Sequence, residues 1–122
     1  MPATVTIVGN LGNTPERRYT PNGKEVTNFN VALYAGKDQD GEKLTTWVRI
    51  TAWGKLATSA EDKLTKGQRV QVSGILNPPQ VYQDKNNEYK ASYEMTAFLI
   101  AIIPHDIKYS DIQDEEKEVV TP

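Results

Sequence analysis

The residues from 45 to 53 alternate strictly between two kinds of side chain. One set is Trp47, Arg49, Thr51 and Trp53, and the other is Val48, Ile50 and Ala52. Successive side chains of a β-strand point to opposite faces, so this pattern predicts a strand with an aliphatic face in a core and an aromatic, charged face in solvent. The chain must therefore build a sheet with one covered face around this strand.

The remaining segments predict four more strands and one helix. Alternation or β-branched runs indicate strands at residues 4–8, 29–33, 69–76 and 94–103, and the spacing of Leu56, Ala57, Ala60 and Leu64 indicates a helix over 55–63. Residues 77–79, Asn-Pro-Pro, are expected to end the fourth strand, because proline cannot donate to a ladder. Residues 84–87 form a predicted hairpin turn between Tyr82 and Tyr89. We predict an all-β, five-stranded oligonucleotide/oligosaccharide-binding (OB) barrel with one short helix between strands 3 and 4.

The charges divide the chain into a body and a tail. Residues 1–103 hold 12 basic and 10 acidic residues, whereas residues 104–122 hold 2 basic and 6 acidic residues. The overall charge of −2 therefore hides a slightly basic body. With 122 residues, we expect one OB domain over 1–103 and a short, acidic, disordered tail over 104–122.

No constellation of residues predicts catalysis, a metal site or a cofactor. The chain has no cysteine, and its one histidine, His105, follows the last predicted strand. Asp38, Asp40 and Glu42 lack the spacing of a calcium loop. The longest apolar run has seven residues, too few to cross a membrane, and no secretory signal is apparent, so we expect a cytoplasmic protein without a membrane partner.

The exposed aromatic face predicts binding of a single-stranded nucleic acid. Bases stack on flat side chains while cations follow the phosphates, and Trp47 and Trp53 flank Arg49 in that manner. Further stacking candidates are Tyr34, Tyr82 and Tyr89. The candidate phosphate contacts are Arg49, Lys55, Arg17, Arg18, Lys24, Lys37, Arg69 and Lys85. An alternative role for the two tryptophans is the core of a subunit contact, since tryptophan is usually well buried.

Four blocks of the sequence together resemble the bacterial single-stranded DNA-binding protein (SSB) family. The blocks are VTIVGNLG from Val5, TPERRYTPNGKEVTNFNVAL from Thr14, TTWVRITAWGKLA from Thr45 and LTKGQRVQVSGIL from Leu64. The resemblance covers residues 4–103. It implies an OB barrel, a homotetramer and single-stranded DNA as the partner, bound in the cytoplasm on the bacterial nucleoid. It also implies stacking on Trp47 and Trp53, and on Tyr82 in the last hairpin.

The chain departs from the family pattern at three places. Lys37 stands where many relatives carry tryptophan, and Val48 stands where a subunit-contact histidine is common. The tail ends in Val-Val-Thr-Pro without the terminal proline and phenylalanine of the family, so we do not expect it to recruit repair and replication proteins by that route. The expected function is sequence-independent binding and protection of single-stranded DNA in replication, recombination and repair. The alternative is an OB module for RNA or a protein, in a replication-restart or translation complex.

Overall fold

A computed structural model describes residues 2–106, 108 and 117–122 of the chain. These residues form one helix and seven strands. The elements are β1 (Thr4–Leu11), β2 (Glu16–Tyr19), β3 (Glu25–Lys37), β4 (Lys43–Trp53), α1 (Gly54–Lys63), β5 (Arg69–Gln83), β6 (Tyr89–Ile103) and β7 (Glu118–Val120). No helix among the described residues has the length and apolar character needed to span a membrane.

Five of the strands close into a ring. β1 pairs with β5 from Thr4 to Asn10, and then with β3 at Asn10 and Leu11. β3 pairs with β4, β4 runs parallel to β6, and β6 returns to β5. A Cβ atom on Gly9 would lie 2.3 Å from the carbonyl oxygen of Ala32, so glycine permits the close approach of β1 to β3. The predicted five-stranded OB barrel is confirmed as this ring.

The ring encloses an apolar core that α1 helps to cover. Phe29, Ile50, Met95 and Ile100 are at most 1% exposed. The helix places Leu56, Ala57 and Ala60 against this core, in agreement with the predicted helix over 55–63. The hydroxyl of buried Thr27 donates to the carbonyl of Ala57 at 2.7 Å, which fixes α1 to β3.

Three details differ from the sequence prediction. Glu16–Tyr19 forms a short additional strand on the edge of β3, so the helix follows the fourth strand along the chain rather than the third. β5 continues through the prolines to Gln83, because its register with β6 shifts between Asn77 and Gln80 and the prolines fall at that irregularity.

The prediction of a disordered tail over 104–122 is wrong for Glu118–Val120. This segment forms β7, which pairs with β6 at Ile100–Ile102, and its Val120 is 2% exposed in the core. The parallel ladder from β4 extends along β6 only to Thr96, so the edge further along β6 is open to another strand. Residues 107 and 109–116 of the predicted tail lie outside the described residues.

Two hairpin tips use the same turn. In each, the carboxylate of the first aspartate accepts hydrogen bonds from the backbone amides two and four residues later, at 2.8 to 3.0 Å. Asp38 begins the β3–β4 turn, and Asp84 begins the β5–β6 turn. The fourth position has positive φ in both, with glycine at 41 and Asn87 in the other turn.

Candidate nucleic-acid interface

The outer face of β4 presents both tryptophans to solvent. Trp47 is 52% exposed and Trp53 is 45% exposed, while Val48, Ile50 and Ala52 between them are buried. The alternation in the sequence therefore predicted the correct face. Six residues of strand separate the two indoles, which places them about 20 Å apart along β4.

Trp47 rests against the backbone at the end of β1. A Cβ atom on Gly12 would lie 2.4 Å from Cζ3 of the indole and 2.8 Å from its Cη2. Gly12 is held in place because its amide donates to the carbonyl of Asn30 at 2.8 Å. The side-chain oxygen of Asn13 accepts from the amide of Asn30 at 2.9 Å. The missing side chain at position 12 therefore leaves the space that the indole occupies.

Tyr82 borders the same groove as Trp47. In the β5–β6 hairpin, Tyr82 pairs with Lys90 and Gln80 pairs with Ser92, so these four side chains share one face. That face borders a groove of about 510 Å³. Its lining residues are Asn30, Trp47, Arg49, Gln80, Tyr82, Ser92 and Glu94. One aromatic residue from β4 and one from the β5–β6 hairpin thus line the same groove, where a flat ring could stack on them.

A second groove continues from the first at Arg49 and is rich in cations. Its volume is about 650 Å³. Its lining residues are Gly12, Asn13, Thr14, Glu16, Arg17, Arg18, Asn28, Arg49 and Lys66. Arg18 donates to the side-chain oxygen of Asn28 at 2.9 Å, and that amide in turn donates to Thr51 at 2.8 Å. The side chain of Arg49 makes no hydrogen bond or ion pair with the described residues.

The structure separates the other predicted aromatic contacts from Trp47. Tyr34 is exposed in a small depression beside Lys43. Tyr89 pairs with Gln83, and it therefore lies on the opposite face of the hairpin from Tyr82. Of the three tyrosine candidates, only Tyr82 borders the same groove as Trp47.

The predicted cations also divide into groups. Arg17 forms ion pairs with Glu25 at 3.9 Å and with Glu61 at 3.7 Å, and its guanidinium lies 5.6 Å from the ring centre of Tyr19. Arg69 donates to the carbonyl of Pro104, at the start of β5 and far along that strand from Tyr82. The other candidates are exposed in turns, at a hairpin base or at the start of α1, namely Lys24, Lys37, Lys55 and Lys85.

Two cations near the grooves are not among the candidate phosphate contacts predicted from the sequence. Lys66 lines the cation-rich groove, and its amide donates to the hydroxyl of Thr14 at 3.3 Å. Lys90 borders the space beside Trp47 and Tyr82, and it pairs with Asp84 at 3.4 Å. Lys66 lies in the fourth block of the family resemblance, and the pairing of Lys90 opposite Tyr82 in a hairpin could have indicated the position of Lys90. Among the described residues, no three His, Cys, Asp or Glu side chains form a group suited to a metal ion.

Comparison with known proteins identifies the relatives of this architecture. The model of the Single-strand binding protein family matches residues 2–103. Single-stranded DNA-binding protein 1 of Chlorobaculum tepidum is 40% identical over 94 residues, which are 75% of this chain and 58% of that protein. The single-stranded DNA-binding protein of Mycobacterium tuberculosis is 45% identical over 80 residues, which are 60% of this chain and 48% of that protein. The chain thus spans about half the length of the curated relatives it matches.

A solved structure shares the fold. The crystal structure of a small single-stranded DNA-binding protein from Streptomyces coelicolor superposes with a TM-score of 0.68 at 26% identity. The match covers 81% of this chain and 92% of that one.

Proposed function

Since the chain belongs to the single-strand binding protein family, we propose that it binds and protects single-stranded DNA without reading its sequence. The proposal includes roles in replication, recombination and repair. Bases stack on Trp47, Trp53 and Tyr82, and phosphates contact the cations of the neighbouring groove. Family membership agrees with the prediction that the chain is not an enzyme.

The observation that carries this proposal is the exposure of two indoles on a strand whose other face is buried. About half of the surface of each indole is open to solvent, although a large apolar side chain gains free energy from burial. Stacking of one base on an aromatic side chain stabilises a complex by about 1–3 kcal/mol. A flat ligand therefore accounts for aromatic side chains that the fold itself does not cover.

Arg49, Arg18 and Lys66 are the cations we propose for the phosphates near Trp47. All three line the cation-rich groove that meets the Trp47–Tyr82 groove at Arg49. Arg17 contributes less, because its guanidinium already faces two carboxylates. The other predicted contacts stay predictions for a longer path of the bound DNA. They are Lys24, Lys37, Lys55, Lys85, Arg69, Tyr34 and Tyr89.

Titration with poly(dT) tests the function directly. Stacking quenches tryptophan fluorescence, and each of Trp47→Ala and Trp53→Ala should raise the Kd by about 5- to 150-fold. Phe98→Ala is the matched control, because Phe98 is an exposed aromatic that lines neither groove. Unquenched fluorescence at saturating poly(dT), or an equal loss of affinity in Phe98→Ala, would contradict the stacking mechanism.

Competition separates DNA binding from the alternative functions. Poly(dT), a single-stranded RNA and duplex DNA are compared at two salt concentrations. We expect a strong preference for single-stranded DNA, with log K falling by about 0.7 per neutralised phosphate for each tenfold increase in salt. Preference for the RNA would support the alternative OB module, and binding to none of the three would leave a protein partner.

We also propose that the protein acts as a homotetramer. An apolar depression at one side of the barrel supports self-association, and it includes the Val48 position. The lining residues are Val5, Ile7, Leu33, Thr46, Val48, Leu76, Tyr93 and Met95. Light scattering on the full chain measures the assembly, and a mass of one or two protomers would exclude the tetramer. A cytoplasmic, nucleoid-associated location also stays a prediction.

A further inference from the structure

The groove between Trp47 and Tyr82 contains a carboxylate that phosphate binding does not explain. Glu94 lines this groove together with three uncharged polar residues, Asn30, Gln80 and Ser92. A negative charge repels the backbone of a nucleic acid, so a groove made only for phosphates would exclude it. The carboxylate therefore points to a ligand group that donates hydrogen bonds.

Glu94 is positioned by two neighbouring strands. It pairs with Arg49 in the parallel β4–β6 ladder and with Asn77 in the antiparallel β5–β6 ladder. Residues in register on adjacent strands lie about 4.8 Å apart and point to the same face. Both Glu94 and Arg49 border the groove, side by side.

The carboxylate has no partner in the described part of the protein. Glu94 is half-buried, and its side chain makes neither an ion pair nor a hydrogen bond with any described residue. A half-buried carboxylate that a base covers loses water and needs donors in its place. A base that supplies donors is thus favoured in this groove over one that presents acceptors.

The four bases differ in the donors on their Watson–Crick edges. Guanine presents two adjacent donors, N1–H and the N2 amino group, which match the two oxygens of a carboxylate, and its O6 accepts from a neighbouring guanidinium. Thymine presents one N–H between two carbonyl oxygens. Adenine and cytosine each present one amino group beside a ring-nitrogen acceptor. Only guanine satisfies Glu94 with two hydrogen bonds and Arg49 with a third.

We propose that the groove between Trp47 and Tyr82 is a guanine-preferring subsite, in which Glu94 reads the N1–H and N2 amino group and one N–H of Arg49 donates to O6. The guanidinium has five N–H donors, so the others remain for the neighbouring phosphate. The rings of Trp47 and Tyr82 hold the base by stacking. The inference rests on the proposed function, and it adds a local base preference to binding that is otherwise independent of sequence.

The test compares oligothymidylates of one fixed length that differ at a single central position. That position is thymine, guanine, hypoxanthine or adenine, and tryptophan quenching measures each Kd. We expect guanine to tighten binding about five- to tenfold over thymine. Hypoxanthine, which keeps N1–H and O6 but lacks the amino group, should fall between them. Equal Kd values for all four strands would overturn the proposal.

A matched pair of variants assigns the preference to Glu94. Glu94→Gln should abolish the guanine preference, because the glutamine amide presents one acceptor oxygen and a donating NH2 group where the carboxylate presents two acceptor oxygens. Glu88→Gln removes the same charge from an exposed position in the hairpin turn and should keep the preference. Retention of the preference in Glu94→Gln would refute the assigned role.

The outcomes separate this inference from the function itself. If no strand quenches the tryptophans of the wild-type protein, the proposed function fails. If all strands bind equally, only the guanine subsite fails. The wild-type series of four bases needs no variant, so misfolding of a variant cannot obscure the result.

Discussion

Gly12 determines where the indole of Trp47 lies, so Gly12→Ala should weaken DNA binding without disturbing the fold. The added Cβ would lie 2.4 Å from Cζ3 of the ring. An ordinary carbon–carbon contact is about 3.5 Å, so the ring must withdraw by about 1 Å. It has room to do so, because the indole is half exposed and the opposite wall is an open groove.

The expected magnitudes differ for folding and for binding. The backbone of Gly12 is not in the left-handed region, so alanine is sterically allowed there, and the free energy of unfolding should change by less than about 1 kcal/mol. A displaced ring loses part of the ~1–3 kcal/mol of a stacked base. A loss of about 1 kcal/mol raises the Kd about fivefold. Denaturant unfolding and poly(dT) quenching measure the two quantities.

A double-mutant cycle shows whether the effect passes through the indole. If Gly12→Ala acts only by moving Trp47, it should not weaken binding further in a Trp47→Ala background. An unchanged Kd in the single variant, or an equal loss of affinity in both backgrounds, would refute the reasoning. A large loss of stability would show instead that the space beside the glycine is needed by the fold.

Three further predictions concern the tail strand, the hairpin turn and the groove. Val120→Ala should lower the free energy of unfolding by roughly 2 kcal/mol in a denaturant titration, because Val120 is 2% exposed. Val119→Ala is the control and should have little effect, because Val119 is 45% exposed. The pKa of Asp84 lies below its ordinary value, mainly because its carboxylate accepts a hydrogen bond from the amide of residue 88. The turn should therefore be ordered at neutral pH and lose this support as the pH falls below about 4. The NMR shifts of the turn amides measure this change, and a spectrum that does not depend on pH would contradict it. Arg49→Gln should reduce the magnitude of the slope of log K against log salt by about 0.7 for poly(dT). Lys63→Gln, at the end of α1, is the control, and an equal change there would show that general charge rather than the groove is responsible.

Local pattern was sufficient for the features that depend on one strand or one helix. The two faces of β4 follow from the pleat, which sends Trp47 and Val48 in opposite directions whatever surrounds them. Helix α1 follows from the spacing of its apolar residues, and Leu56, Ala57 and Ala60 are buried as that spacing predicts. The order of these elements suggested the barrel, and the resemblance to the SSB family implied it.

Features that join distant segments needed the tertiary structure. Tyr82 and Trp47 come from different hairpins and border one groove, and the register of β5 shifts at the prolines that precede Tyr82. Tyr89, equally aromatic and close in sequence, falls on the other face of that hairpin. Arg17 and Arg18 are adjacent and chemically identical, yet the first meets carboxylates and the second meets Asn28.

The sequence by itself determined which side chains share a face, because that property follows from the backbone geometry of a single element. The tertiary structure decided which faces meet. Glu94 beside Arg49, Gly12 beneath Trp47 and Val120 in the core are contacts between segments far apart in the chain. Such contacts depend on ring closure, register shifts and open strand edges, which are properties of several strands at once and leave no periodic signal in any one of them.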